Sequence, residues 1–225
     1  MMAPPEMYYE ENIKGKTRLE IRSEIIGLKN RIERLKKDIE NPKFVELMCP
    51  SEELQIEFCR KYLEKAIEAY EATGKKYVLS GPDARAKDFE DNTPNIKSIR
   101  FCIGGFLDGW TEKMCMFGDE AIKIESGDFP GLYGPREYLK TEYYDKSKFM
   151  YKLRKLHLGE WKYSYMCEDY GIDIYDGCEW IVEIEFSNGK KSIQIEGHEC
   201  YPYNFDKFRD LLDNNDDSGF DVFDE

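Results

Sequence analysis

Six aliphatic residues, Ile21, Ile25, Leu28, Ile32, Leu35 and Ile39, recur at steps of 4, 3, 4, 3 and 4. That 3.5-residue period keeps one apolar seam of a helix facing a partner helix, and no strand produces it. Thr17 and Glu20 have the spacing of a capping box, so the spacing predicts a helix start there. Asn41-Pro42 ends the helix, because proline disfavours helical geometry in the residue before it. A second stripe, Ile56, Cys59, Leu63, Ala66 and Tyr70, follows Ser51 as a cap and two acids, Glu52 and Glu53, in a first turn, with Gly74 as a stop. Only NPKFVELMCP separates the two stripes, a connector that reverses the chain but does not span a helix length. The expectation is an antiparallel, coiled-coil-like helical hairpin over residues 17–76, preceded by an N-terminal arm at 1–16. A homodimer pairing through residues 17–73 is the competing arrangement.

Residues 77–96 are rich in Gly, Pro, Asp and Asn and read as a connector. Beyond it the apolar period becomes two, first at Ile99, Phe101 and Ile103, then in WTEKMCMF and AIKIE, which predicts a meander of three strands. Residues 126–144, with their glycines and prolines, read as a long loop. A short helix follows, with Phe149, Leu153 and Leu156 on one face and Gly159 as its stop. Trp180, Val182, Ile184 and Phe186 then alternate with Ile181, Glu183 and Glu185, the pattern of a strand with one buried face. Ser187-Asn188-Gly189 supplies a tight turn into KKSIQIEG, and Gly197 ends the ladder. Tyr-Pro-Tyr leads into Asn204, read as a helix cap, with Phe205, Phe208, Leu211 and Leu212 facing the sheet. The fold class is therefore α+β: the helical hairpin, an acidic antiparallel domain with two short helices at 97–212, and an acidic tail at 213–225 expected to be flexible.

Charge narrows the function. Residues 1–76 carry 15 basic and 15 acidic side chains, whereas residues 77–225 carry 18 and 31, so the whole net charge of −13 lies in the second part. A field of that sign repels phosphate backbones and attracts basic surfaces, which disfavours direct nucleic-acid binding. Seven scattered cysteines read as reduced thiols, and a chain of 225 residues buries enough core to fold without disulfides. The start MMAPPEMYYEEN has no basic-then-apolar pattern, and no apolar run reaches the ~20 residues needed to cross a bilayer, so a cytoplasmic protein is expected.

Candidate chemistry is sparse. His198 and Cys200, with Cys178 and Cys167 upstream, lack the close paired spacing that preorganises a zinc tetrahedron, so no metal is expected. A cysteine nucleophile needs a base in reach, and only His157 and His198 exist; His157 reads as a helix-end residue near free carbonyls. IGGFLDG at 103–109 lacks the Lys-Ser/Thr of a phosphate loop and reads as a hairpin turn. No catalytic residue and no cofactor is assigned. Tyrosine is frequent and favours protein interfaces. The expected partner-binding residues are Tyr163, Tyr165, Glu168, Asp169, Tyr170 and Asp173, the strand carboxylates Glu183 and Glu185, and two tail anchors, Phe220 and Phe223, in the alternating FDVFDE.

The run DGCEWIVEIEFSNGKKSIQIEGHECYPYNFDKFRDLL resembles a C-terminal module of uncharacterised clostridial (Firmicutes) proteins: an Asp-Gly turn and Trp opening a strand, an Asn-Gly hairpin, and Tyr-Pro-x-Asn-Phe opening a helix. LHLGEW upstream fits the same pattern, and the resemblance covers about the last third of the chain. It implies a fold module and carries no activity. The expected function is a non-enzymatic protein that presents an acidic, tyrosine-rich surface to a basic partner. One specific version is a phage or mobile-element inhibitor that mimics nucleic acid to occupy a defence nuclease, as anti-CRISPR proteins do. The alternatives are a hydrolase or nucleotide-processing enzyme with a carboxylate site, and a homodimeric coiled-coil scaffold.

Overall fold

A computed structural model describes residues 2–41, 43, 49–105, 109–130, 138–174 and 176–213. The chain is α+β, with six helices and a mixed seven-stranded sheet among the described residues, divided into two compact units, Met1–Ser80 and Gly81–Glu225. No described helix is long and apolar enough to cross a membrane.

The first unit contains α1 (Pro5–Asn12), α2 (Arg18–Ile39) and α3 (Glu52–Ala72). The capping box forms: Thr17 N donates to Glu20 Oε2 at 2.7 Å, and Glu20 N donates to Thr17 Oγ1 at 3.4 Å. Ile21, Ile25, Leu28, Ile32 and Leu35 are buried, as are Ile56, Cys59 and Ala66 of α3. Arg31 Nη2 donates to Gln55 Oε1 at 3.0 Å between the two helices. The segment read as an arm folds as α1, and it explains a buried residue that the stripe omitted. Tyr62 stacks on Tyr8 with ring centroids 3.9 Å apart, and its hydroxyl donates to the Ala3 carbonyl.

In the second unit the strands are β1 (Ile96–Gly105), β2 (Gly109–Phe117), β3 (Ala121–Phe129), β4 (Lys140–Asp145), β5 (Ser164–Met166), β6 (Glu179–Phe186) and β7 (Ile193–His198), ordered β4-β3-β2-β1-β6-β7-β5. The helices are α4 (Gly81–Asn92), α5 (Lys146–Lys155) and α6 (Phe205–Asp213). Three expectations are corrected. The 77–96 connector is largely α4, with the 3-10 turn Thr93–Asn95 behind it, because Phe89 finds a ring partner in Phe186 at 6.3 Å that local composition does not announce. The 126–144 loop is narrower than expected: β3 runs on through Phe129 and β4 returns from Lys140, so the meander has four strands. The sheet is mixed, since β5 pairs parallel to β7.

One face of the sheet is apolar, as the alternation demanded. Trp180, Val182 and Ile184 are fully buried and stand opposite Ile103, Phe101 and Ile99 in the β1–β6 register. Phe101 meets Phe205 and Phe208 of α6 with centroids 5.9 and 5.5 Å away, and Phe117 meets Phe149 of α5 at 5.8 Å. The chain turns at Ser187–Gly189, with Gly189 at φ 80°, but the β6–β7 connection runs to six residues, 187–192, because β7 begins only at Ile193. Its conformation is set by α4 and the turn after it: Asn188 Nδ2 donates to Asn92 Oδ1, and Ser187 N donates to the Asn95 carbonyl, both at 2.8 Å.

Two glycines carry close approaches. Gly197 does not end the ladder but lies under Trp180, where an added Cβ would stand 2.5 Å from the indole. Gly159 does not stop α5, which closes at Leu156; it lies in the 3-10 turn Leu158–Glu160 against α4, where a Cβ would meet that of Phe89 at 2.7 Å. Asn204 stands just before α6, where its carbonyl accepts from Phe208 N at 3.2 Å, and its side chain is a strut. Its Oδ1 accepts from Trp161 Nε1 at 2.8 Å and its Nδ2 donates to the Leu156 carbonyl at 2.6 Å, all buried. The reduced-thiol expectation is corrected for one pair: Cys167 and Cys200 form a buried disulfide with Cα atoms 5.5 Å apart, because the parallel β5–β7 pairing brings the ends of both strands together.

Replacing Asn204 by Ala leaves the Trp161 N–H and the Leu156 carbonyl without partners in the core. Urea unfolding is expected to show a loss of about 2–4 kcal/mol. A loss below about 0.5 kcal/mol would mean that the strut is dispensable.

Candidate functional site

The candidate surface is built on the connection from β5 to β6. Residues 166–186 contain seven carboxylates, at 168, 169, 173, 176, 179, 183 and 185, and no Lys or Arg. Local structure spreads them. Cys167–Tyr170 form a 3-10 turn closed by Gly171 at φ 68°, and the disulfide anchors the start of that turn to the exit of β7. Glu168, Asp169, Asp173, Asp176 and Glu179 are exposed. None of these five has a cation within ion-pair distance among the described residues.

The remaining expected residues separate into different environments. Glu183 and Glu185 lie on the same strand face but are engaged: Arg100 Nη1 donates to Glu183 Oε2 at 2.9 Å, and Lys97 Nζ to Glu185 Oε2 at 3.0 Å. Tyr163 is 52% exposed, with the Arg85 guanidinium 5.0 Å above its ring. Tyr170 is half-buried. Tyr165 is a correction: only 2% exposed, it packs against Trp180 at 5.8 Å and belongs to the core, because its pairing with Gly197 turns it to the apolar face. Phe220 and Phe223 lie outside the described residues.

Sequence reasoning missed the polar centre of the opposite sheet face. Glu112 is 2% exposed, in the middle of the sheet. Arg100 Nη2 and Nε reach its Oε2 at 2.7 and 2.8 Å, Cys102 Sγ lies 3.1 Å from the same oxygen, and the Tyr138 hydroxyl donates to Oε1 at 2.6 Å. Desolvation acts to raise the Glu112 pKa, but the hydrogen bonds from Arg100, Tyr138 and Cys102 outweigh it and hold the carboxyl below its ordinary value. For Arg100, burial acts to lower the pKa and the bonds from Glu112 and Glu183 raise it. The only sequence signal was a charged residue inside each of two strands. The register, Cys102 opposite Glu112 and Arg100 opposite Glu183, makes them neighbours.

The histidine and cysteine candidates do not converge on a metal. His198 stands opposite Glu179 and Met166 in the ladder, and Cys200 is bonded to Cys167. Among the described residues no group of three or more His, Cys, Asp or Glu is placed to hold an ion. Burial pushes the half-exposed Cys178 thiol up, the opposite of an activated nucleophile. His157 is not bound to helix-end carbonyls through its ring; it has φ 49°, and its Nδ1 lies 3.2 Å from Glu90 Oε1 of α4. At 103–109, Gly105 pairs with Gly109 at the end of a strand pair, and residues 106–108 lie outside the description.

The chain matches no family model, no curated protein and no solved structure.

A carboxylate with a lowered folded pKa stabilises the protein above its unfolded pKa, and that contribution fades as pH falls toward the folded pKa. Glu112→Gln is therefore expected to cost roughly 2–3 kcal/mol at neutral pH, since it leaves a partly buried guanidinium half-paired. Unfolding measured from pH 7 down to about 3 should show a constant gap between wild type and variant that starts to shrink as pH falls through the ordinary carboxylate value and goes on shrinking toward the lower folded one. A gap independent of pH would show that Glu112 acts through packing alone.

Proposed function

We propose that the protein is a non-enzymatic binding protein whose β5–β6 connection docks on a basic protein surface. The observation that carries this reading is the base-free run 166–186, in which five of seven carboxylates are exposed and without a cation. Exposed like charges of this density raise the energy of the free protein. The repulsion is relieved by a partner that supplies guanidinium and ammonium groups. Glu183 and Glu185 are neutralised within the sheet and contribute shape more than attraction.

The specific form of the proposal is nucleic-acid mimicry, in which the run occupies the groove of a defence nuclease, as an anti-CRISPR inhibitor of phage or mobile-element origin would. The first unit provides a second contact or a scaffold. We read α2 and α3 as an antiparallel, coiled-coil-like hairpin. In support, Arg31 meets Gln55, while Tyr8 links Glu24, earlier in α2, to Tyr62, later in α3. The α2 seam is already buried in one chain, which leaves a homodimer the weaker use of it.

The test is binding to a panel of purified basic nucleases at about 50 and 500 mM salt, with and without their nucleic acid. Expected are binding at low salt that nucleic acid displaces, and a loss of about tenfold or more for the triple variant Glu168→Gln, Asp169→Asn, Asp173→Asn. Undiminished binding of that variant, or no binding to any member at low salt, sinks the proposal.

A further inference from the structure

A groove of about 530 Å³ runs beside the outer edge of β7, between that strand and α4. Its backbone chemistry follows from one bond. Glu196 N donates to the Tyr163 carbonyl at 3.1 Å, so the main chain of Glu196 faces β5. With a period of two, the N–H and C=O of Gln194 point the same way. Yet β5 begins only at Ser164, opposite Glu196; just upstream the Trp161 carbonyl is turned to Arg85, accepting from its Nη2 at 3.1 Å. Among the described residues no strand pairs with residues 193–195 on that side. The sheet therefore ends in a short open edge, directly above a cavity floored by Phe89, Trp161 and Ile195.

The rim is basic in a chain of net charge −13. Lys190 is neutralised by Asp88, but Lys191 has no ion-pair partner among the described residues, and Arg85 keeps a buried Nε with no hydrogen-bond partner. A strand laid along this edge would turn every second side chain toward α4, so that a residue over the apolar floor and those two positions away share the side on which Arg85 lies.

We propose that this groove binds an extended acidic peptide, which adds as a strand to the free edge of β7 at Gln194, buries one apolar side chain on Phe89 and Trp161, and sets carboxylates against Arg85 and Lys191. The site is distinct from the acidic run and opposite in sign, so it stands or falls independently of the function proposed above.

The probe is the synthetic peptide acetyl-Thr-Glu-Thr-Phe-Thr-Glu-Thr-amide, which carries Glu, Phe and Glu on one face of a strand, added to the full chain, with calorimetry for affinity and amide exchange for register. Binding is expected to slow exchange of the Gln194 amide by about tenfold or more, and a Lys-for-Glu version of the peptide should not bind. Lys191→Glu should weaken binding by about tenfold. Gln194→Pro removes the outward N–H, together with an exposed side-chain bond to Glu196, leaves the β6 ladder bonds in place, and should abolish binding while near-UV dichroism shows a folded core. Binding that survives both variants, or a Gln194 amide unaffected by peptide, overturns the proposal. So does a Gln194 amide already protected in the free chain and released by Phe220→Asp with Phe223→Asp, which would mean that the chain fills its own groove.

Discussion

The second unit depends on two buried indole N–H groups and what receives them. Trp161 donates to Asn204, and Trp180 donates to the Cys200 carbonyl at 2.9 Å. A buried N–H without a partner forfeits a hydrogen bond it had in water, so each indole is held where an acceptor exists. Those acceptors lie on the segment between β7 and α6, which is why the chain turns there and lays α6 over β1. Gly197 makes the arrangement possible by vacating the volume that the Trp180 ring occupies. The disulfide reinforces the same corner: closing a loop of 33 residues constrains the unfolded chain by roughly 3–4 kcal/mol in the entropic description.

From that corner the two candidate surfaces take their positions. The acidic connection leaves Cys167 and returns to the sheet at Glu179, so its exposed carboxylates are displayed from a segment fixed at both ends. The basic groove opens because β5 is only three residues long and leaves the first half of β7 uncovered. Charge is also sorted by depth. Arg100 and Glu112 neutralise each other inside the sheet face, where an unpaired charge would be costly, while the excess acid stays in water. The unit boundary after Ser80 coincides with the charge boundary, since residues 77–80 carry no charge.

Much of the fold was legible in local pattern. The capping box at Thr17, the buried stripe of α2, the alternation in β6 and the apolar face of α6 are all short-range signals, and each element formed where its signal lay. The failures were long-range. The Gly, Pro, Asp and Asn around α4 looked like a connector because the helix owes its order to Phe89 on Phe186 and to the contact with Gly159, far away in sequence. Asn204 was legible as the residue before a helix, but not as a strut, because the two partners of its amide, Trp161 and Leu156, are far away in sequence. Tyr165 looked like surface because a three-residue strand has too few positions for its alternation to show.

By itself, then, the order of residues determined the fold class, the helical and strand segments with strong periods, and the confinement of the net charge to residues 77–225, because periodicity and charge are properties of neighbours in the chain. Only the tertiary structure decided the parallel seating of β5, the pairing of Cys167 with Cys200, the union of Arg100, Glu112 and Tyr138, and the open edge of β7. Each of these joins residues through sheet register and packing, and register between distant strands is set by the whole core rather than by any local stretch.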